Sequence, residues 1–320
     1  MAFVNCPACG TRNSAFNPRC IGCGARNGGP ADERRARPSP AAAVRGGEWV
    51  ERTIGSYVVE ESISSGATGQ VLRARDPAGR NVAIKVLHPS LVDDENVRRR
   101  FAREARALGA IDCPYVARIL DFVETPLALV LEYVNGESLE RRLSTGPIVP
   151  GEAAGILADA AKGVQALHEA HIVHRDLKPA NILLGEEGGK GPRARIVDLG
   201  LVRFLESSSG SMRTAANAFI GTLAYASPES VLSDPPAPAT DLWSIGVVAY
   251  QILSGRLPFS GGSRRALVTS ILSEQPPTLE TPERLREIVA SLLAKEPSAR
   301  PESAASVAKA FEHVCELLSS

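Results

Sequence analysis

The stretch that decides the fold is His174-Arg175-Asp176-Leu177-Lys178-Pro179-Ala180-Asn181, followed a short way downstream by Ile196-Val197-Asp198-Leu199-Gly200. Together they set an acid and an amide five residues apart, then a second acid behind a short apolar run. Carboxylate and amide oxygens are hard donors, and one or two carboxylates beside phosphate and water oxygens satisfy Mg²⁺. Asn181 and Asp198 supply such a set, and transfer to a hydroxyl also needs one carboxylate to accept its proton. Phosphoryl transfer asks a protein for charge neutralisation and positioning, and for little covalent chemistry.

Working outward toward the N-terminus, Val82-Ala83-Ile84-Lys85 has the alternation of a strand and puts Lys85 on the same face as Ala83. Helical spacing places Glu104 on the stripe of Val97, Phe101 and Leu108. A lone carboxylate there would cost several kcal/mol, so a salt bridge from Glu104 to Lys85 is expected. Earlier still, Ser64-Ser65-Gly66-Ala67-Thr68-Gly69-Gln70-Val71 is a glycine-containing turn, and Gly66 and Gly69 let backbone amides approach phosphate closely.

From Tyr57 to about Leu318 these motifs resemble a eukaryotic-like (Hanks-type) protein kinase domain, nearest to the bacterial serine/threonine kinases, whose loops read HRDLKPAN and GTxxYxSPE. The resemblance implies ATP as phosphoryl donor and proteins as acceptors. Carried over residue by residue, Asp176 is the catalytic base, Lys178 contacts the γ-phosphate, Asn181 and Asp198 bind Mg²⁺, and Lys85, paired with Glu104, holds the α- and β-phosphates. Ile63, Ser64, Gly66, Gly69, Val71, Ala83 and Leu183 are expected around the nucleotide. Glu132 to Val134 form the hinge that binds adenine, Leu131 stands as gatekeeper, and Glu137 is a ribose contact. Ser64 departs from the family's first loop glycine, which is expected to alter loop flexibility without abolishing nucleotide binding. Leu199 and Ser227 replace residues that are often Phe and Ala, as apolar or small equivalents. Glu229 is expected to pair with Arg300, and Asp241 to orient the catalytic loop from below.

Lys178 and Gly221-Thr222 resemble the serine/threonine-specific members. Arg175, before the catalytic acid, is the residue that pairs with a phosphorylated activation loop in this family. Thr214 is the first candidate for autophosphorylation, and Thr222 a residue expected to hydrogen-bond near Asp176. What separates an active kinase from a relative that binds nucleotide without transfer is the joint presence of Lys85, Asp176, Asn181 and Asp198, and all four are there.

The remaining sequence is organised simply. Cys6-x2-Cys9 and Cys20-x2-Cys23 place four thiols in two tight turns, suited to tetrahedral Zn²⁺. So short a segment has no core of its own, so the metal would supply its folding energy. It looks like a zinc ribbon; such ribbons bind nucleic acid, bind proteins or cap an end, and the absence of an aromatic-basic stripe favours a protein partner. Residues 1–27 are read as this ribbon, 28–53 as a flexible Pro-, Gly-, Ala- and Arg-rich linker, and 54–318 as the kinase domain. The expected class is α+β and bilobal: a β-rich N-lobe over about 54–134 with one main helix, and a mostly helical C-lobe over about 135–318. Strands are expected at Tyr57–Ile63, Gln70–Arg75, Asn81–His88, Val116–Val123 and Leu127–Tyr133. Helices are expected at Val92–Ala110, Glu152–Ala170, Asp241–Leu253, Arg264–Ser273, Pro282–Ala294 and Ala304–Leu318.

With 44% apolar and 22% charged residues and a net charge of zero, the composition suits a globular protein and gives no global pull toward nucleic acid or anionic lipid. No signal-peptide pattern and no membrane-length apolar run is visible, so a cytoplasmic protein with reduced thiols is expected.

Overall fold

The computed structural model describes residues 3–5, 12–14, 52–66, 69–88, 95–146, 148–185, 194–198 and 222–319. The chain divides into two units, Met1–Arg45 and Gly46–Ser320. In the first, strands β1 (Phe3–Asn5) and β2 (Arg12–Ser14) pair antiparallel, with Phe3 opposite Ser14.

The second unit begins with an antiparallel sheet of six strands, β3 (Thr53–Ile54), β4 (Tyr57–Gly66), β5 (Gly69–Arg75), β6 (Asn81–Leu87), β7 (Ile119–Glu124) and β8 (Leu127–Glu132), in the order β3-β4-β5-β6-β8-β7. Strand alternation divides its side chains. One face carries Val59, Leu72, Ala74, Val82, Ile84, Val86, Ala128 and Val130, which form a cluster of their own with Ile54 and Tyr57. The other carries Leu87, Leu129 and Leu131, which belong to the main core of the helical lobe. Lys85 lies on this second face, between Ala83 and Leu87, and is buried. The sequence pattern therefore aims the lysine toward the helical lobe.

Helix α1 (Glu95–Gly109) packs on β7 through Phe101, whose ring stands 5.9 Å from that of Phe122. Phe101 and Leu108 are buried, each contributing about 1.5–3 kcal/mol by leaving water. The side chain of Glu104 lies outside the described residues, as do Ala67 and Thr68 of the glycine turn.

The second lobe is mostly helical: α2 (Leu139–Ser144), α3 (Pro150–Glu169), α4 (Pro228–Val231), α5 (Pro238–Ser254), α6 (Arg264–Ser273), α7 (Glu283–Leu292) and α8 (Ala304–Ser319). Two short strands, β9 (Ile182–Leu184) and β10 (Ala194–Ile196), pair antiparallel. Helix α3 is alanine-rich and buried along nearly its whole length, as a helix sandwiched on all sides must be. A Cβ on Gly163 would lie 2.8 Å from the Tyr115 carbonyl and 2.9 Å from Ile196 Cδ1, so this glycine lets α3 press against both segments. Among the described residues no helix is long and apolar enough to cross a membrane.

The main elements stand where hydrophobic periodicity puts them, with ends shifted by a few residues. One assignment needs correcting: residues 116–118 do not continue β7, which starts at Ile119. Instead Val116 forms a parallel bridge with Ile196, and Ala117 N–H donates to the Ile196 carbonyl at 2.8 Å. Apolar letters that read as one strand serve two partners in turn. The short helices α2 and α4, capped by Ser138 and Ser227, carry too few residues for periodicity to reveal.

Candidate active site

The loop after α3 is built around one buried acid. Asp241, near the start of α5, is fully buried. Its Oδ2 accepts from His168 Nε2 at 2.8 Å and from the His174 backbone N–H at 2.8 Å, while Oδ1 accepts from the Arg175 N–H at 2.9 Å. Arg175 has φ of 65°, a left-handed conformation that costs a non-glycine residue roughly 1–2 kcal/mol. The buried carboxylate holds it there. His174 Nδ1 in turn accepts from the Asp176 N–H at 3.2 Å, which fixes the start of the turn that presents Asp176.

Asp176 is partly exposed and accepts from Lys178 Nζ at 2.9 Å through Oδ2. Asn181 Nδ2 donates to the Asp176 carbonyl at 2.8 Å and approaches Asp176 Oδ2 at 3.4 Å. This orients the amide with its nitrogen toward Asp176. Thr222 Oγ1 lies 3.5 Å from Lys178 Nζ, within reach of the same group.

Asp198 follows β10, and its neighbour Val197 donates N–H to the Asn181 carbonyl at 3.0 Å, so the two acid-bearing segments run side by side. Lys85 Nζ, buried on the sheet face turned to the helical lobe, reaches both oxygens of Asp198 at 2.7 and 2.6 Å. Partial burial opposes ionisation of Asp198, but the Lys85 ammonium and its hydrogen bonds prevail, assisted by His174 and Lys178, and hold the carboxyl below its usual range. Asp198 is therefore an ionised carboxylate one-third exposed to solvent (33%), next in the chain to the residue bonded to the Asn181 carbonyl. Such a set of hard oxygen donors fits Mg²⁺.

The glycine hairpin of β4 and β5 borders the strand that carries Lys85. Ser64 pairs with Val71, Ser65 with Gln70 and Gly66 with Gly69. Gly69 has φ of 146°, and a Cβ there would meet the Val86 carbonyl at 2.0 Å, so only glycine fits. Val71 is opposite Lys85 and Ala83 is opposite Leu131, which places Val71, Ala83 and Leu131 on neighbouring strands of one sheet. Ile63 is half-exposed, Leu131 and Val134 are buried, and Leu183 is partly buried on β9. Glu137 is exposed and lies 3.7 Å from Arg141.

Lys85, Asp176, Lys178, Asn181 and Asp198 thus converge. Cys6, Cys9, Cys20, Cys23, Leu199, Gly200 and Thr214 lie outside the described residues. Sequence reasoning missed the His168 partner of Asp241 and a bidentate ion pair from Arg195 to Glu132, at 2.8 and 2.6 Å. At the base of the lobe, Arg300 meets Glu229 through both Nη atoms at 2.7 and 2.8 Å.

The family model described as Protein kinase domain matches residues 57–314. Serine/threonine-protein kinase pkn2 of Myxococcus xanthus is 39% identical over 267 residues, covering 80% of this chain and 32% of that protein. Serine/threonine-protein kinase PkaA of Streptomyces coelicolor is 38% identical over 282 residues, covering 83% of this chain and 51% of that one. The chain accordingly spans about a third to a half of the length of these two curated relatives. Among solved structures, a mutant PknI kinase domain of Mycobacterium tuberculosis superposes with a TM-score of 0.64 at 22% identity, over 86% of this chain and all (100%) of that one. Rad53 residues 1–466 in complex with AMP-PNP superposes with a TM-score of 0.66 at 27% identity, over 81% of this chain and 65% of that one.

Proposed function

The chain belongs to the protein kinase domain family, and on that footing we propose that it transfers the γ-phosphoryl group of ATP to serine or threonine hydroxyls of proteins. The observation that carries this reading is the convergence of Lys85, Asp176, Lys178, Asn181 and Asp198 between the two lobes. The serine/threonine kinases among the curated relatives support the acceptor class.

In this reading Asp176 lies at the acceptor hydroxyl and takes its proton, and Lys178 beside it steadies the γ-phosphate. Lys85 exchanges its contact with Asp198 for the α- and β-phosphates, with Glu104 as its partner on α1. Asn181 and Asp198 are the side chains that would hold Mg²⁺. When bound there, Mg²⁺ neutralises phosphate charge as it develops. Gly66 and Gly69 admit the phosphates under the hairpin, with Ile63 and Ser64 at its edge. Val71, Ala83 and Leu183 enclose adenine against the 132–134 hinge, and Glu137 faces the ribose. Thr222 supports the catalytic loop. A phosphate on Thr214 would pair with Arg175 and order the activation loop.

We further read residues 1–27 as a zinc ribbon held by Cys6, Cys9, Cys20 and Cys23, joined by residues 28–53 to a kinase domain over 54–318. The pairing of β1 with β2 supports this, because Cys6-x2-Cys9 falls in the connection between them. The ribbon's partner is read as a protein and the location as cytoplasmic. Zinc content of the purified chain, before and after chelation, tests the ribbon.

Incubation with radiolabelled ATP, Mg²⁺ and a generic basic protein tests the enzyme. Transfer to serine or threonine is expected, and Asp176→Asn should lower it by about 10²–10⁴-fold. Intact mass of the same sample should show added phosphate that Thr214→Ala reduces. A wild-type chain that transfers no more than Asp176→Asn would end the proposal.

A further inference from the structure

The hinge that would bind adenine and the strand that leads to Asp198 are joined by a bracket. Glu132 ends β8 and begins the hinge, while Arg195 is the middle residue of β10, three positions before Asp198. Their guanidinium and carboxylate meet side by side, Nη1 on Oε1 at 2.8 Å and Nη2 on Oε2 at 2.6 Å. Arg195 Nη2 also donates to the Val116 carbonyl at 3.3 Å. Between the two strands passes the segment 115–118. On one side it pairs with β10, through Ile196 N–H to the Tyr115 carbonyl at 2.9 Å and Ala117 N–H to the Ile196 carbonyl at 2.8 Å. On the other it receives the Glu132 N–H on the Arg118 carbonyl at 2.8 Å.

Main-chain bonds of this kind stop the strands parting but tolerate small slides. A two-point charged contact fixes direction as well as distance. The pair is mostly shielded, with Arg195 17% and Glu132 33% exposed, so water screens it less than a surface pair. The Arg195 guanidinium holds the Glu132 carboxyl below the usual range, against the opposing effect of burial, so the pair is charged at neutral pH.

We propose that Glu132 and Arg195 are positioning residues that lock the adenine-side hinge to the strand carrying Asp198, and so set the two ends of the nucleotide site relative to each other. The proposal rests on the kinase reading. A displacement of about 1 Å between groups that must meet one ligand can cost as much as 10²-fold in rate, and only a few residues separate each half of the clamp from such a group. A purely structural pair would change stability and leave nucleotide affinity alone.

The test uses the full chain with Glu132→Gln, Arg195→Met and the double variant. It measures Mg-ADP binding by calorimetry, KM for ATP, KM for the protein substrate, and the melting temperature. Each single variant should weaken Mg-ADP binding and raise KM for ATP by about 5–10-fold, with KM for the protein substrate unchanged. The double variant should be no worse than the singles, as expected for partners in one contact. Melting temperatures that fall while Mg-ADP affinity stays at the wild-type value would overturn the proposal, and so would losses that simply add. Should the wild-type chain bind Mg-ADP but transfer no phosphate, the kinase reading fails while the calorimetry still decides the clamp.

Discussion

Two ion pairs in this molecule share chemistry and distance and differ in everything else. In the cleft, Lys85 contacts Asp198 at 2.6 Å; at the base of the helical lobe, Arg300 contacts Glu229 at 2.7 Å. Arg300 is shut in, with a side chain of 0% exposure. All five of its N–H donors are taken: two by Glu229, and the rest by the carbonyls of Ala294, Ala239 and Lys295. Glu229 accepts from Thr240 as well, at 3.2 Å. Asp198, by contrast, keeps a third of its side chain open, and the lysine opposite it offers three rotatable donors. One pair is closed and ties α4 to the segment before α8. In the proposed reading the other is exchangeable: its carboxylate would trade a lysine for a cation, and its lysine would trade a carboxylate for phosphates. The lesson is that closure, and not the strength of the contact, separates a structural pair from a working one.

The largest effects should come from breaking each pair at one partner. Asp198→Asn is expected to remove about three orders of magnitude of phosphoryl transfer, in line with the several kcal/mol that a bound metal supplies. It should shift the melting temperature by only a few degrees. Arg300→Leu should do the reverse. It leaves Glu229 buried without its cation, at about 3–5 kcal/mol of stability, while transfer per folded molecule stays near the wild-type rate. Thermal unfolding and initial rates on both variants decide this, and equal stability losses would erase the distinction.

A smaller effect reads the closed pair through pH. Burial opposes ionisation of Glu229, but its hydrogen bonds from Arg300 prevail and put its folded-state pKa below the ordinary 4.5. As pH falls, the unfolded chain therefore takes up the proton first. The contribution of Glu229 is complete above about pH 4.5 and is lost as pH drops through the lower folded value. Glu229→Gln should flatten the acid limb of melting temperature against pH. An acid limb of unchanged slope in that variant would place the acid sensitivity elsewhere.

The two pairs also show what the letters could tell. Glu229 with Arg300 was legible because both positions are carried by the motif resemblance, and so were the four groups of the cleft. The contact of Lys85 with Asp198 was not. Alternation says which face of the sheet the lysine takes but not which acid it meets, and spacing along the chain names Glu104 before it names a residue 113 positions away. Glu132 and Arg195, 63 residues apart, were hidden for the same reason. Alternation says that Arg195 stands out from between Ala194 and Ile196, but not which strand end it meets. Residues 116–118 were misread because their pairing partners change within a few positions, whereas strand patterns assume one partner throughout. Periodicity sees a face; it does not see what the face is pressed against.

The smallest effect concerns the hairpin over the cleft, where the family pattern has a glycine and this chain has Ser64. Strand β4 runs on through Ser64, paired with Val71 just after an irregularity between Ser62 and Ser64, and the side chain is exposed. A serine there stiffens the arm by restricting the backbone, and glycine in a strand costs roughly 0.5–1 kcal/mol relative to alanine. Ser64→Gly should therefore lower the melting temperature slightly and change KM for ATP by no more than about two- to fivefold. Gly69, at the other end of the same hairpin, has no such latitude, because any Cβ collides with the Val86 carbonyl. If the cleft works through exchangeable charge, the stiffness of its cover at Ser64 is a minor adjustment. A tenfold or greater change in KM for ATP from Ser64→Gly, measured by initial rates, would mean that the hairpin rather than the Lys85–Asp198 exchange governs nucleotide entry.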